Sequence, residues 1–499
     1  MPRSQRRQPG RALSGIVDIG SNTVRLVIYD GAQRTPSIFL NEKITAQLGR
    51  ELADTGRIPD TASKAALAGL GRYALLLADL GVEDVQVAAT AAAREASNGS
   101  EFLAEVRKLG FEPRLLSGDD EARASAMGVI GAFPGARGMV ADIGGGSLEL
   151  AWIENGSVSN CTSLPLGTLR LPALADKGKA EFKAAIRTAL ENSGWGVPRS
   201  EPLYLVGGTW RALATYVLHH NNLPLSDPHG VAVAYDDAVK LAKQLTTIDA
   251  EEFAGVPGLS AIRAEALPNA AQLMRVMLKV LQPSELIVSA WGLREGLLLQ
   301  RLDDTARSHD PLSAGVTEFC QNYDVDPSRS AMMAGWCIGA VEPGSTAGGR
   351  ERLAATMLSV ALSRVEPNLR HRTAMEWGLD KRWIGLDPRG RALLASALLG
   401  SCGTAVWPKE LERLASRDEL GGAAAWGLAN RLCRRLGAGS RMSLMSSHLS
   451  REGKTLTLQI EQGRAALVGE NTQKDLAALA DFLGLETRIQ VVEEIRRRQ

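Results

Sequence analysis

The sequence predicts an α/β protein of two related lobes, followed by a helical region and a small terminal α/β module. An internal echo is the first observation behind this: Gly15-Ile-Val-Asp18-Ile-Gly-Ser-Asn-Thr23 returns as Met139-Val-Ala-Asp142-Ile-Gly-Gly-Gly-Ser147. Aligning Asp18 with Asp142 also pairs Ile19 with Ile143, Gly20 with Gly144, Thr23 with Ser147 and Leu26 with Leu150, which reads as duplicated architecture. The second is alternation of short apolar runs with helical patterns up to about residue 302, the signature of sheets covered by helices. The third is a change of character near Asp303, after which Ala, Leu and Arg dominate and strand signals fade until Thr455.

Each copy of the echo reads as an apolar strand, an Asp at its end, a tight Gly/Ser/Asn turn and a returning strand. After the first hairpin the spacing predicts a helix over 62–80, a strand over 85–89, a helix over 101–109, an extended 113–116 and a helix over 119–133. After the second come a strand over 158–165, a helix near 180–191, a strand over 203–206, a helix from Thr209, a long helix over 263–281, a strand over 286–288 and a helix over 293–301. Thr455-Leu-Thr-Leu-Gln-Ile-Glu and Ala465-Ala-Leu-Val468 resume the alternation, ahead of a helix over 474–483. The expected division is a disordered basic tail (1–12), lobe I (13–133), lobe II (134–305), a helical domain (306–453) and a terminal module (454–499). At roughly 150 residues per domain, 499 residues fit about three domains.

Composition excludes several classes. Lys plus Arg is 57 against 56 for Asp plus Glu, so overall charge directs the chain neither to nucleic acid nor to a membrane surface. Five cysteines, never in a C-x-x-C spacing, argue against a disulfide framework and a zinc knuckle. With no signal-peptide pattern and no long apolar run, the expected location is the cytoplasm. A local exception is the stretch from Arg364 to Lys454, where 16 Lys/Arg meet 9 Asp/Glu. It reads either as a basic solvated surface or as a groove for a polyanion.

Tight Gly-rich turns expose successive backbone N–H groups and wrap anions closely. The turns beginning at Asp18 and Asp142 therefore read as phosphate cradles, with Ser21, Asn22, Thr23, Gly144, Gly145, Gly146 and Ser147 as donors. Ordinary β-turns are the alternative, and the matched doubling argues against it. Gly207-Gly208-Thr209 leads from a strand into a helix whose N-terminus suits an anion. Thr90 and Arg94 follow another strand end, where a guanidinium suits phosphate. Ser117-Gly-Asp-Asp-Glu121 opens a helix; its acids serve either the helix dipole or, for one aimed into a cleft, a water to be deprotonated. No P-loop pattern occurs.

These motifs, with Ala89-Thr-Ala-Ala-Ala-Arg94-Glu-Ala-Ser-Asn98, Ser117-Gly-x-x-Glu-Ala-Arg123 and Ser289-x-x-Gly-Leu-Arg-Glu-Gly296, resemble in order and spacing the exopolyphosphatase and guanosine pentaphosphate phosphohydrolase (Ppx/GppA) family, with its long exopolyphosphatases the nearest in organisation. The resemblance implies an actin-like, ribonuclease H-like pair of lobes closing on a phosphate site, with Mg2+, or alternatively Mn2+, as cofactor. It makes Glu121 the residue that activates water and Asp142 its partner at metal and nucleophile. Asp18 and Glu149 would lie near the metal, while the turn residues, Arg94 and Gly208 to Thr209 would hold phosphoryl oxygens. For residues 306–499 it implies a degenerate HD-like domain without a second metal site, and a homodimer.

The activity implied is hydrolysis of the terminal phosphoanhydride of inorganic polyphosphate, with guanosine pentaphosphate (pppGpp) as the alternative substrate and pppGpp or ppGpp as further possible ligands. Nucleic acid and membranes are not expected partners. Rivals of another class are an actin-like ATPase or sugar kinase on the same fold, and a non-catalytic polyphosphate or alarmone sensor. The Glu121 and Arg94 motifs favour the phosphatase.

Overall fold

The computed structural model describes residues 13–31, 34–341 and 348–495. The expected tail over 1–12 lies outside the described residues. The chain divides into two compact units: the residues up to Asn221 with Pro228–His309, and Asn222–Asp227 with the residues from Asp310 onward.

The first unit holds two mixed sheets. In one, β1 (Ser14–Ile19), β2 (Val24–Asp30) and β3 (Ser37–Ile44) run antiparallel, and β4 (Asp84–Ala89) and β5 (Pro113–Leu115) are added parallel, in the order β3-β2-β1-β4-β5. The other repeats that plan with β6 (Gly138–Ile143), β7 (Leu148–Glu154), β8 (Ser157–Leu164), β9 (Leu203–Val206) and β11 (Glu285–Val288), and gains the short antiparallel β10 (Ala232–Ala234) at its edge. The echo in sequence is thus an echo in topology.

Strands buried on both faces read as continuous apolar runs, and their alternation sorts the layers. Val17 and Ile19 face a core with Leu70, Tyr73 and Leu77 of the helix Asp60–Asp79, whereas Ile16 faces Ala124 and Leu297. In the second sheet Met139, Ala141 and Ile143 meet Phe182, Ile186 and Trp210, whereas Val140 meets Ala122, Ala126 and Val129. The helix Gly118–Ala132 consequently packs against the inner faces of both sheets, and Leu293–Leu299 packs beside it on the first. They approach backbone to backbone: a Cβ on Gly296 would stand 1.7 Å from the Ala124 carbonyl oxygen. Asp18 and Asp142 share the strand face of Ile16 and Val140, so both point toward this central layer.

In the second unit Asp310-Pro, Asp326-Pro and Asp387-Pro start the helices Pro311–Gln321, Pro327–Ile338 and Pro388–Ser401, each Asp accepting a backbone N–H at 2.6–2.9 Å. Such pairs combine a capping acceptor with a residue that needs no donor at the first helical position. One core unites Leu312, Met333, Leu358, Leu398 and Leu432 with Leu449, Leu458 and Ile460 of a terminal sheet, β12 (Ser447–Glu452), β13 (Thr455–Glu461) and β14 (Glu486–Val492). The first strand of that sheet thus falls within the stretch expected to be helical, because Ser447-His-Leu-Ser-Arg-Glu452 carries too few apolar residues to signal it. Residues 465–468, expected as extended, instead include the end of a helical turn over Gln462–Leu467.

Part of the basic excess of residues 364–454 is taken up by internal contacts. Arg431 and Arg435 share Asp475, Arg389 meets Glu419, Arg417 meets Glu412, Arg382 meets Asp227, and Arg434 donates to the carbonyls of Ser359 and Ser401. The guanidinium groups of Arg431 and Arg434 thereby hold helices together.

Candidate active site

Two hairpins build the walls. In the first, the Gly20 N–H donates to the Thr23 carbonyl at 3.0 Å; in the second, Gly144 donates to Ser147 at 3.0 Å. The turns face one another, since a Cβ on Gly145 would lie 3.0 Å from the Asn22 nitrogen and one on Gly146 2.6 Å from Ser21 Oγ. Among the described residues the N–H groups of Ser21, Asn22, Gly145 and Gly146 meet no acceptor, and the Asn22 side-chain oxygen is buried without a partner. Buried backbone donors are almost always paired, and such a concentration of open donors is a geometry that can receive an anion.

A cavity of about 380 Å³ opens between the turns. It is lined by Asp18, Ser21, Asn22, Thr23, Thr90, Glu121, Asp142, Gly144, Gly145, Gly146, Ser147, Glu149, Gly207, Gly208 and Thr209, which brings together all but one of the residues singled out from the sequence. Gly207 is positioned by necessity: its φ is 106°, and a Cβ there would lie 2.7 Å from the Ile143 carbonyl and 2.9 Å from Asp142 Oδ1. The exception is Arg94, whose side chain is partly exposed. Its Nη1 donates to the Leu116 carbonyl at 2.8 Å and to Glu121 Oε2 at 3.2 Å, so it orients a carboxylate of the cavity wall.

The three acids after Ser117 separate cleanly. Asp119 is exposed, and Asp120 completes a capping box with Ser117, the role expected of acids at a helix start. Glu121 alone turns inward, 8% exposed. Burial pushes its pKa up to about 7, against the pull of Arg94. One turn on, Ser125 donates to Asp142, tying the helix to the second hairpin. Burial raises Asp142 as well, with Ser125 and Arg211 opposing, and it raises Asp18 against Arg294 and Arg25. Glu149 is pushed well above the usual range by burial, then by Glu121 and Asp142, although Ser163 donates to it at 2.9 Å.

This carboxylate set bears on the expected cation. No cluster of three or more His, Cys, Asp or Glu stands within reach of one metal ion among the described residues. Hard oxygen donors around a shared cavity, each disfavouring ionisation of its neighbours, nevertheless fit a divalent cation that retains most of its water.

Several lining residues escaped sequence reasoning. Arg25, Lys43, Arg211, Arg263 and Arg294 ring the cavity, arriving from strands and helices far apart in the chain. Arg294 and Glu295 lie in the singled-out stretch 289–296 without an assigned role. Glu295 accepts from the Gly292 N–H at 3.1 Å and from Tyr29 Oη at 3.0 Å, bracing that helix start on lobe I.

Comparison with known proteins adds a lineage to this geometry. The family model for the Ppx/GppA phosphatase family matches residues 27–305. Exopolyphosphatase 1 of Mycobacterium leprae is 28% identical over 314 residues, 58% of this chain and 90% of its own. The guanosine-5'-triphosphate,3'-diphosphate pyrophosphatase of Vibrio atlanticus is 24% identical over 64% of this chain and 65% of its own. The solved Aquifex aeolicus member of the Ppx/GppA family superposes with a TM-score of 0.51 at 28% identity, covering 60% of this chain and 99% of that one.

Proposed function

This chain belongs to the Ppx/GppA phosphatase family, and on that premise we propose that it is an exopolyphosphatase, releasing orthophosphate from the end of inorganic polyphosphate. The observation that carries the reading is Glu121, buried on the wall of a cavity bounded by two facing turns with open N–H groups. Phosphoryl transfer to water needs positioning and charge neutralisation more than covalent chemistry, and this arrangement supplies both.

In the proposed reaction the donors of Ser21, Asn22, Gly145 and Gly146 hold the oxygens of the terminal phosphoryl group. Glu121, as carboxylate, takes a proton from a water whose oxygen bonds to the terminal phosphorus; the bridging P–O bond breaks, and orthophosphate leaves the shortened chain. Arg94 fixes the carboxylate. Asp142 would hold Mg2+ or Mn2+, with Asp18 and Glu149 reaching it through its retained water, and the cation when bound neutralises phosphoryl charge. The ring of Arg25, Lys43, Arg211, Arg263 and Arg294 suits the anionic units behind the scissile bond. A homodimer, expected from the resemblance, belongs to the same proposal.

Similarity to the Vibrio enzyme favours pppGpp as the second reading. Phosphate release from long-chain polyphosphate, tripolyphosphate and pppGpp, measured side by side with Mg2+ on the native chain and on Glu121→Gln, decides. Turnover on polyphosphate that Glu121→Gln abolishes is the expected result. Selective turnover of pppGpp would replace the substrate, and full activity of the variant would remove Glu121 from the mechanism.

A further inference from the structure

We propose that lobe II carries a second binding site for polyphosphate, separate from the catalytic cavity, in a groove between the helices Lys179–Asn192 and Ala261–Leu281; its ligand rests on the reading of the substrate given above. The groove has a volume of about 140 Å³ and is lined by Lys179, Lys183, Arg187, Arg275 and Lys279, with Phe182 among its apolar lining residues and no acid in its wall. Lys179, Lys183 and Arg187 recur every fourth residue, as do Arg275 and Lys279, so each helix turns one cationic stripe to the groove. Like charges at that spacing disfavour a helix by about 0.2–0.5 kcal/mol per pair.

No hydrogen bond or ion pair engages any of these five cations among the described residues. Three other surface arginines of the same unit are paired: Arg72 with Glu42, Arg137 with Glu154 and Glu201, Arg301 with Asp84. Five uncompensated charges converging on one groove are relieved by an anion. The apolar lining residues Phe182 and Val276 are themselves buried, so the groove offers no aromatic face for a base to stack on and no apolar side chain for a bilayer. A chain of phosphoryl groups without bases or acyl tails matches what remains.

Position along the Ala261–Leu281 helix sets what the site can do. Arg263, in its first turn, lines the catalytic cavity; Arg275 follows twelve residues later, about 18 Å along the axis. At 100° per residue the groove positions lie on a different side of the helix from Arg263. A substrate must therefore leave the cavity and round the helix to touch both sites, which only a long chain does. The groove then retains the remote end of a long substrate between turnovers by effective concentration.

The test is the double variant Lys183→Glu/Arg275→Glu in the full chain, with Lys179→Ala/Lys279→Ala as a milder second variant and circular dichroism to confirm folding. Binding of long-chain polyphosphate is measured on the Glu121→Gln background, so that it is read without hydrolysis. The expected result is affinity weakened on the order of tenfold or more, a salt dependence shallower by about 0.7–0.9 per cation removed, and kcat/KM for tripolyphosphate within about twofold of native in the active background. Long-chain affinity unchanged in both folded variants overturns the site. Equal loss on long and short substrates overturns it as well, by assigning the effect to the cavity. A single-stranded DNA of similar charge that binds as tightly and is lost in parallel replaces it with a general polyanion surface. If the native chain hydrolyses no polyphosphate yet binding falls as expected, the groove stands and the catalytic reading falls.

Discussion

Arg25 and Glu149 hold the same ladder position in the two lobes: Arg25 lies opposite Asp18 across β1 and β2, and Glu149 opposite Asp142 across β6 and β7. The next strand extends each row, to Lys43 in lobe I and to Ser163 in lobe II. A duplicated hairpin has thereby become electrostatically unequal. Lobe I sets two cations beside its Asp, whereas lobe II sets a second carboxylate beside its own.

This inequality predicts where a divalent cation is held. Asp142→Asn and Glu149→Gln should each raise the Mg2+ concentration needed for half-maximal phosphate release, by about 10–100-fold, the range seen when metal-site partners are removed. Arg25→Gln should instead raise KM for substrate and leave the Mg2+ titration in place. An unchanged titration in both acid variants would move the metal away from lobe II.

The pairing of Arg94 with Glu121 predicts a pH profile. Glu121 must be ionised to accept a proton, and burial holds its pKa at about 7, so kcat/KM should rise through neutrality and level off above it. Arg94 lowers that pKa; Arg94→Met removes the pull and should displace the rising limb to higher pH. A limb displaced downward, or not at all, would sever the two residues functionally.

The same burial has a cost in stability, with a defined sign. An unfolded glutamate ionises near 4.5 and Glu121 near 7, so between these values the folded state binds the extra proton. The contribution is present below the unfolded pKa and lost as pH rises through 7. In EDTA, Glu121→Gln should therefore melt above the native chain at pH 8 and close to it at pH 4.5, with about 2–4 °C per kcal/mol, while turnover falls about 10²–10⁴-fold. A melting difference independent of pH would contradict the buried charge.

What could be read from sequence follows from how local each signal is. The Asp18 and Asp142 turns were legible because strand, Asp and Gly-rich bend are contiguous and occur twice. Lys43, Arg211 and Arg263 were not, since nothing in an isolated Lys or Arg tells which cleft a β-edge or a helix start will face. Arg94 was legible as a residue, but its hydrogen bond to Glu121 was not, since that contact depends on rotamers across two helices. Charge counting over 364–454 could not see the reverse, that Arg431 and Arg434 find their partners once helices pack. The unpaired cations of lobe II are diluted in sequence by Glu181, on another side of the same helix, and by Glu191, four residues beyond Arg187.

Gly167 was likewise silent in sequence, yet a Cβ there would stand 2.3 Å from the Gly146 carbonyl carbon and from the Ser147 nitrogen. Gly167→Ala should push the second cradle out of shape, costing about 1–3 kcal/mol and most of the phosphate release. Gly71→Ala, in the helix Asp60–Asp79 with nothing within 4 Å of the added Cβ, should stabilise by about 0.5–1 kcal/mol and leave turnover unchanged. Equal behaviour of the two variants would show that the cradle tolerates displacement.

Glu419 provides a test of the second unit that does not depend on catalysis. It occupies the third position of the helix Arg417–Gly437, where its carboxylate accepts from the Ser416 N–H at 2.8 Å, from Ser416 Oγ at 2.7 Å and from Arg389 Nε at 2.7 Å. These hydrogen bonds hold its pKa down at about 2, the Ser416 side chain contributing most. Because the folded pKa lies below the unfolded one, the stabilisation is present above about 4.5 and is lost as pH falls toward 2. Glu419→Ala should cost about 0.5–2 kcal/mol in urea unfolding at pH 7, the range for removing a capping interaction, and Glu419→Gln less, since a neutral amide still closes the capping box. Both differences should shrink as unfolding is repeated at pH 4, 3 and 2.5. A loss that persists undiminished at pH 2.5 would assign the effect to packing around Trp426 and Leu432 in the unit's core, and would separate the cap from its charge.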